Sequence, residues 1–325
     1  MDQMILNVAE MGAADKAAIS SGTPGFVLMQ RAGEVIVHAI RQRWSARPVV
    51  VMCGPGNNGG DGYVAAERLK EAGWPVKVAA MVDPSRLKGD AAEAAAQWTG
   101  ETVALDRNAL KGAELIIDAI FGAGLARAPD AATRDVLRGA EATAPVVAVD
   151  LPSGLHGDTG QPLSFAPKSA LTVTFHRKKP AHVLEPGRSL CGEIVVGDIG
   201  LAAPDRRHVK LSENGRWLWL ERYPWPKIDA HKGDRGRLIV VSGPPHATGA
   251  ARLAARAALR IGAGLVSVAT PPESIAVNAS HLTAVMLKPF LNEEELQLMA
   301  ESVDAVVIGP AAGVNEETRL NVLAC

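Results

Sequence analysis

The densest chemistry in the chain lies in nine consecutive residues, Gly54-Pro55-Gly56-Asn57-Asn58-Gly59-Gly60-Asp61-Gly62. They follow an apolar run, Pro48–Cys53, and precede an Ala-rich stretch of helical character from Tyr63 to Gly73. Glycines at such a strand-to-helix junction permit positive φ and let backbone N–H groups approach a ligand. The helix N-terminus behind them favours a phosphate or another anion. Gly54, Gly56 and Gly59 also satisfy G-x-G-x-x-G, with Asp83 after the next apolar run, so a redox dinucleotide site is a competing reading. No Gly-Lys-Ser/Thr is present, which excludes a P-loop. A bare turn without a ligand would need fewer than these five glycines and two amides.

Further candidates stand at the ends of other apolar runs. Asp118 sits inside Leu115–Ile120, followed by Phe121-Gly122-Ala123-Gly124-Leu125-Ala126-Arg127. A carboxylate there is expensive to bury unless it is paired or meets a cation; the plainer role is a helix cap or loop anchor. Asp150 ends the run Val146–Val149 and leads into Leu151-Pro152-Ser153-Gly154. In doubly wound sheets, ligands sit outside the carboxyl ends of the strands. The glycine-rich loop, Asp118 and Asp150 are therefore expected to converge on one cleft. The segment His176-Arg177-Lys178-Lys179-Pro180-Ala181-His182 follows the run ending at Phe175. It reads either as a source of cations or an acid/base lysine for a phosphorylated substrate, or as a solvated basic loop. Cys53 reads as a small core residue. His208, His231, His246 and His281 lack metal-ligand spacing.

These residues need a scaffold, and the hydrophobic pattern supplies one. Two helices are expected in the first 45 residues, the first stopping near Gly22-Thr23-Pro24-Gly25 and the second running from about Phe26 to Trp44. Apolar runs follow at Pro48–Cys53, Val76–Val82, Leu115–Ile120, Pro145–Val149, Ala170–Phe175 and Glu193–Val196, with helical segments at Tyr63–Gly73, Asp90–Trp98 and Ala131–Thr143. Continuous β-branched runs, as opposed to alternating ones, point to strands buried on both faces. Strand–helix alternation then gives an α/β doubly wound fold. Residues 212–226 break the rhythm with Trp217, Trp219, Trp225 and two prolines, and read as a linker strapped across two domains by aromatic contacts. A nucleic-acid stacking platform is the alternative. A second α/β pattern begins beyond, with strands at Arg237–Val241, Leu265–Ala269 and Ala305–Ile308 and a helix at Thr248–Gly262.

Composition narrows the class. The 325 residues suit about two domains at roughly 100–200 residues each. Lys plus Arg (34) against Asp plus Glu (35) argues against a dedicated nucleic-acid binder. The cysteines, Cys53, Cys191 and Cys325, are odd in number and far apart, excluding a disulfide framework and a Cys-rich zinc site. Asp2, Glu10, Asp15 and Lys16 occupy the place of a signal peptide's apolar core. No stretch reaches the ~18 uncharged apolar residues of a membrane span. The chain thus reads as a soluble, cytoplasmic protein with no membrane or nucleic-acid partner; a homo-oligomer is compatible with it.

Together these motifs resemble the NAD(P)H-hydrate repair enzymes. The first ~210 residues are similar to the NAD(P)HX epimerase domain through Glu10-Met11 with Ala14-Asp15, Met29-Gln30-Arg31-Ala32-Gly33, the Gly54–Gly62 loop, Asp118 with Phe121–Arg127, and Val149–Gly154. The resemblance implies a Rossmann-like three-layer α/β/α epimerase domain over 1–211. It implies that Asn57, Asn58, Gly59, Gly60, Asp61, Gly122, Ala123, Gly124, Leu125, Ala126, Arg127, Ala128 and Asp150 hold the hydrated nicotinamide nucleotide. It also implies that Asn58, Asp118 and Ser153 give oxygens to a K⁺, a hard cation suited to such donors. Lys179-Pro180-Ala181 departs from the family's Lys-Pro-Gly, which matters only if position 181 needs positive φ.

From His231 onward the chain resembles the beginning of the ribokinase-like, ADP- or ATP-dependent NAD(P)HX dehydratase, through His231-Lys232-Gly233, Ser242-Gly243, Thr248–Ala251 and Arg256–Leu265. The family's Gly-Ser-Gly-Asp motif does not occur in 227–325, so this part is expected to be an incomplete, inactive domain with an open sheet edge, prone to proteolysis beyond about Lys227. The implied reaction interconverts R- and S-NAD(P)HX, with Asp150 as acid/base and Lys179 assisting electrostatically. Two rivals stand beside it: an NAD(P)-linked oxidoreductase, and a non-catalytic nucleotide-binding protein on the same scaffold.

Overall fold

The computed structural model describes residues 3–205, 207 and 209–325; His208 lies outside them. The chain divides into two compact units, Met1–Gly215 and Arg216–Cys325.

In the first unit the elements run β1 (Met4–Ile5), α1 (Val8–Ser20), α2 (Gly25–Arg41), β2 (Val49–Cys53), α3 (Asn57–Glu71), β3 (Val76–Ala80), α4 (Gly89–Gln97), β4 (Glu101–Ala104), β5 (Leu115–Ala119), α5 (Ala131–Thr143), β6 (Val146–Val149), β7 (Leu171–Phe175), α6 (Gly187–Leu190), β8 (Glu193–Gly197) and β9 (Leu211–Ser212). Seven of these strands form a parallel sheet in the order β4-β3-β2-β5-β6-β7-β8. The continuous apolar runs are its central strands, and β2, β5, β6 and β7 are buried at every residue. Side chains alternate between two layers because successive Cβ atoms point to opposite faces. Val49, Val51 and Cys53 pack with α2 and α3 through Leu28, Ile36, Tyr63 and Leu69, while Val50 and Met52 pack with Val136, Leu137 and Ala140 of α5. The result is the expected three-layer α/β/α arrangement. Strand order reverses between β2 and β5, so the loops leaving them part company there and open a crevice at the carboxyl edge.

Helix α1 is fixed by a capping box: Asn7 Oδ1 accepts from the Glu10 N–H (2.7 Å), and the Glu10 carboxylate accepts from the Asn7 N–H (2.8 Å). The Val8 N–H donates to Asp158 (2.8 Å), tying this end of the helix to the loop beyond β6. The short pair β1–β9, too small to announce itself in the hydrophobic pattern, carries the unit past residue 211, and the division falls after Gly215.

The second unit holds β10 (Arg237–Val241), α7 (Gly249–Ile261), β11 (Leu265–Thr270), α8 (Ile275–Ala279), β12 (Met286–Pro289), α9 (Glu293–Ala300), β13 (Ala305–Val307) and α10 (Glu316–Ala324). Its sheet is parallel, in the order β12-β11-β10-β13. Ala251 and Ala255 of α7 pack on Val240, Val266 and Val268, and Leu296 of α9 packs with Ile239 and Val241 on the other face. In the tryptophan-rich segment, Trp219 and Trp225 ring contacts converge on Tyr223, whose hydroxyl donates to the Ile261 carbonyl (2.5 Å). Those aromatics thus anchor on the end of α7 within their own unit. Among the described residues no helix is long and apolar enough to cross a membrane.

The start of α3 differs from the sequence expectation. The helix placed at Tyr63 begins six residues earlier, at Asn57, with Gly56 as its N-cap. No glycine between 54 and 62 has positive φ. Close packing, not left-handed backbone, explains them. A Cβ on Gly59 would lie 2.0 Å from the Gly54 carbonyl oxygen, and one on Gly62 would lie 2.6 Å from Ala119 Cβ. A Cβ on Gly56 would meet nothing within 4 Å. Gly59→Ala is therefore expected to lose about 1–3 kcal/mol in denaturant unfolding, and Gly56→Ala to stay within about 0.5 kcal/mol of the parent. Equal losses at both positions would contradict the packing account.

Candidate active site

A cavity of about 790 Å³ opens at the carboxyl edge of the first unit's sheet, lined by α1, α2, the β2–α3 junction, the segment after β5, and the ends of β6 and β7. Of the residues singled out in the sequence, Asn57, Asn58, Asp61, Gly122, Ala123, Gly124, Leu125, Ala126, Arg127, Asp150 and Lys179 lie on its wall. Gly59 and Gly60 are buried inside α3 and serve its packing, while Ala128 is exposed outside the cavity. Asp118 and Ser153 are fully buried and do not line it.

Asp150 terminates β6 in a left-handed conformation (φ 65°), unusual for a residue with a side chain and held only where its surroundings enforce it. The enforcement is visible. Its N–H donates to the Val173 carbonyl (2.7 Å), and its carbonyl lies 2.9 Å from His182 Nε2. One carboxylate oxygen accepts from Lys179 Nζ (2.7 Å) and Thr174 Oγ1 (2.9 Å), and the other from the Ala123 N–H (2.8 Å). Lys179 Nζ also donates to Thr174 Oγ1 (2.8 Å). The side chains of the ion pair are 3% (Lys179) and 15% (Asp150) exposed, so it is nearly dry yet reaches the cavity. Burial alone would raise the Asp150 carboxyl, but the Lys179 charge and hydrogen bonds outweigh it and hold the group at about 2. The reading of 176–182 as a solvated loop is thereby corrected: Lys179, Pro180, Ala181 and His182 are buried, whereas Lys178 is only half-buried and pairs with Glu213 (2.7 Å). Ala181 does not have positive φ, so its difference from glycine is harmless.

Among the described residues, no cationic side chain hydrogen-bonds Asp118 on β5. It accepts from the Ser153 N–H (2.8 Å), Ser153 Oγ (2.6 Å) and the Ile120 N–H (3.3 Å). Burial pushes its carboxyl up to about 6, against the lowering effect of the Ser153 bonds. Ser153 Oγ also accepts from the Phe121 N–H (2.9 Å). The next residue, Gly122, packs closely: a Cβ there would stand 3.0 Å from both Asn58 Oδ1 and Asp150 Oδ2, so those side chains would have to give way slightly. Among the described residues, Asn58 Nδ2 is buried without a hydrogen-bond partner. Among the described residues no cluster of three or more His, Cys, Asp and Glu could hold a metal.

Sequence reasoning gave Asp15, Thr174 and His182 no role in the site. Asp15 lies on the cavity wall opposite in sequence to the strand ends, and burial raises its carboxyl, as does the Asp150 charge. Asp61 is raised well above the ordinary range by burial, then by Asp150 and Asp15. The Ala14-Asp15 motif was a usable signal for the first; nothing marked Thr174. The buried Cys53 thiol is pushed well up by desolvation, as suits an inert core residue.

Residues 25–181 match the family described as YjeF-related protein N-terminus, and residues 238–323 match NAD(P)H-hydrate dehydratase. The chain is 37% identical to a bifunctional NAD(P)H-hydrate repair enzyme of Pyrobaculum aerophilum, over 95% of this chain and 65% of that protein. The chain is similar to the NAD(P)H-hydrate repair enzymes in both of its units. Proteins of the same name from Coxiella burnetii and Escherichia coli are 35% and 36% identical, each over 93% of this chain, and 63% and 59% of their own lengths. The chain thus spans about three-fifths of the length of these relatives. The crystal structure of yeast ynu0 shares the fold, with a TM-score of 0.53 and 23% identity over 65% of this chain and 95% of the yeast chain.

The ion pair sets a pH dependence of stability. A carboxyl near 3.9 in the unfolded chain and about 2 in the folded one contributes stability that is complete above about pH 4 and lost as pH falls through about 2. Asp150→Asn, which strands a buried ammonium, is expected to cost about 3–5 kcal/mol near neutrality. The gap between parent and variant should narrow as pH falls from about 4 to 2 in urea unfolding, as the parent's own pair is lost. A gap unchanged across that range would contradict the assignment.

Proposed function

We propose that the first unit epimerises hydrated NADH and NADPH, interconverting R- and S-NAD(P)HX. The observation that carries this reading is the Asp150–Lys179 pair, in a chain similar to enzymes named for repair of these hydrates, reaching a cavity whose opposite rim is a helix start without a side-chain cap. The first-turn N–H groups of α3, at Asn57, Asn58 and Gly59, have no intrahelical acceptors and suit a phosphate. The open space at Gly56 lets an anion approach them, and Arg127 adds a cation on the far loop. Phosphates held by these backbones leave the nicotinamide ring for the acidic end of the cavity.

The ring nitrogen can expel the hydroxyl as water when a proton is supplied, leaving a conjugated iminium ion. Water returning to the opposite face gives that proton back. The Asp150–Lys179 pair is the assigned carrier of the proton, with one donor and one acceptor 2.7 Å apart. Asp150 carries negative charge in the resting site, and that charge stabilises the cationic intermediate more than the neutral substrate. Thr174 and the Ala123 N–H keep the carboxylate aimed without reorganisation.

The donor chemistry of Asn58, Asp118 and Ser153 fits a K⁺. All three offer hard oxygen, and Asp118 is a fully buried carboxylate whose hydrogen bonds come only from Ser153 and the Ile120 N–H, so burial still raises its carboxyl. A cation held there would neutralise Asp118 and order the Phe121–Gly122 segment. ADP or ATP is the nucleotide that a complete dehydratase domain would use, and it is not assigned to this cavity.

With R-NADHX and this protein alone, chiral chromatography should show approach to the epimer mixture faster than the spontaneous rate. Asp150→Asn should return the rate to the spontaneous one while nucleotide binding persists; near-parental turnover would remove Asp150 from the mechanism. Exchange of K⁺ for Li⁺ or choline should lower the melting temperature of the parent and have less effect on Asp118→Asn. Identical melting in all three salts would exclude a specific cation at this place.

A further inference from the structure

His182 does not line the cavity, yet it touches both members of the ion pair through their backbones. It lies three residues after Lys179 in a tight turn over Pro180–His182. The His182 N–H donates to the Lys179 carbonyl (3.0 Å), and the Lys179 N–H donates to His182 Nδ1 (2.8 Å). Since Nδ1 accepts from an amide, it carries no proton, and the ring hydrogen must sit on Nε2. Nε2 then donates to the Asp150 carbonyl, 2.9 Å away. The imidazole is completely buried, and burial together with the Lys179 charge lowers it to about 4, which keeps this tautomer neutral.

The two tethered residues come from separate strand ends, 29 positions apart, and Asp150 holds a conformation that its own backbone does not favour. Its N–H is fixed by Val173; its carbonyl is fixed by His182. We infer that His182 is a positioning residue of the epimerase site, a neutral bridge that sets the left-handed Asp150 peptide and the Lys179 backbone in one register so that carboxylate and ammonium meet. The inference rests on the reading of Asp150–Lys179 as the reacting pair. It assigns His182 no contact with substrate and no proton in the reaction.

Three substitutions separate its two bonds. His182→Gln can place an amide donor at the Nε2 position and keep the link to Asp150. His182→Asn can place an acceptor at the Nδ1 position and keep only the link to Lys179, which the turn already holds by a second bond. His182→Ala removes both. Steady-state epimerisation of R-NADHX, nucleotide binding and thermal melting are measured for each, beside the parent and Asp150→Asn.

Loss of register should appear in kcat, by about 10²-fold for His182→Ala, with KM within about threefold because the phosphate-binding backbones are untouched. His182→Gln should recover about tenfold of the loss, and more than His182→Asn does. If His182→Ala fails to fold, the order Gln above Asn in kcat carries the test. Folded Gln and Asn variants with parental kcat, or variants that lose melting temperature but not kcat, would overturn the inference while an inactive Asp150→Asn leaves the epimerase reading standing. A fully active Asp150→Asn would instead overturn that reading, and the inference with it.

Discussion

The site depends on one buried ion pair. Taking Lys179 and Asp150 out of water carries a desolvation penalty that their mutual attraction offsets only when the remaining donors and acceptors are also satisfied. Thr174 Oγ1, the Ala123 N–H and the Asp150–Lys179 bond meet that condition from three different segments. Because each bond is needed, the segments cannot drift independently. The β7 strand, the loop after β5 and the turn at Lys179 are fixed with respect to the end of β6. Rigidity of the cavity wall is thus a consequence of charge burial, and the same contacts that hold the charge also aim it.

The sheet order explains why these segments meet at all. Chain reversal between β2 and β5 sends their connections to opposite sides, leaving space above the strand ends that neither loop fills. Helix α3 begins directly at that opening because its glycines let it come within contact of β5 and of the Gly54 carbonyl. A bulkier start would push the helix outward and move its free N–H groups away from the cavity. Small residues at the junction therefore place the uncapped start of α3 and Asp150 against the same space, an effect of volume and not of backbone torsion.

The central strands were legible in the sequence because burial on both faces leaves no polar position, and Val49–Cys53 or Val146–Val149 cannot be mistaken for an amphipathic pattern. Strand β4, Glu101–Ala104, was not, since it lies at an edge where exposure removes the hydrophobic signal. The start of α3 was hidden for the converse reason. Asn and Gly have poor intrinsic helix propensity, and tertiary packing overrides it. Asp118 and Asp150 could be picked out as carboxylates at apolar strand ends. Their environments could not: which strand-end aspartate would meet Lys179 depends on a turn 29 residues further on. His182 looked like one more basic residue in a loop. Its function as a bridge exists only after Lys179 and Asp150 have been brought together.

The two strand-end carboxylates show how one sheet produces opposite electrostatics. Asp118 and Asp150 are both buried and both accept hydrogen bonds, so desolvation raises each. Hydrogen bonds from a hydroxyl and amides reduce that effect at Asp118 without cancelling it, and its carboxyl stays near 6. An ammonium at 2.7 Å reverses it at Asp150, which falls to about 2. Asp150 is therefore charged across the neutral range, held so by the protein's own ammonium. At Asp118 no ammonium opposes the desolvation, only the Ser153 and Ile120 hydrogen bonds. A division follows from this difference: one carboxylate holds its charge on the cavity wall through an ammonium, and the other, buried away from that wall, is held by Ser153, whose hydroxyl also ties down the Phe121 N–H.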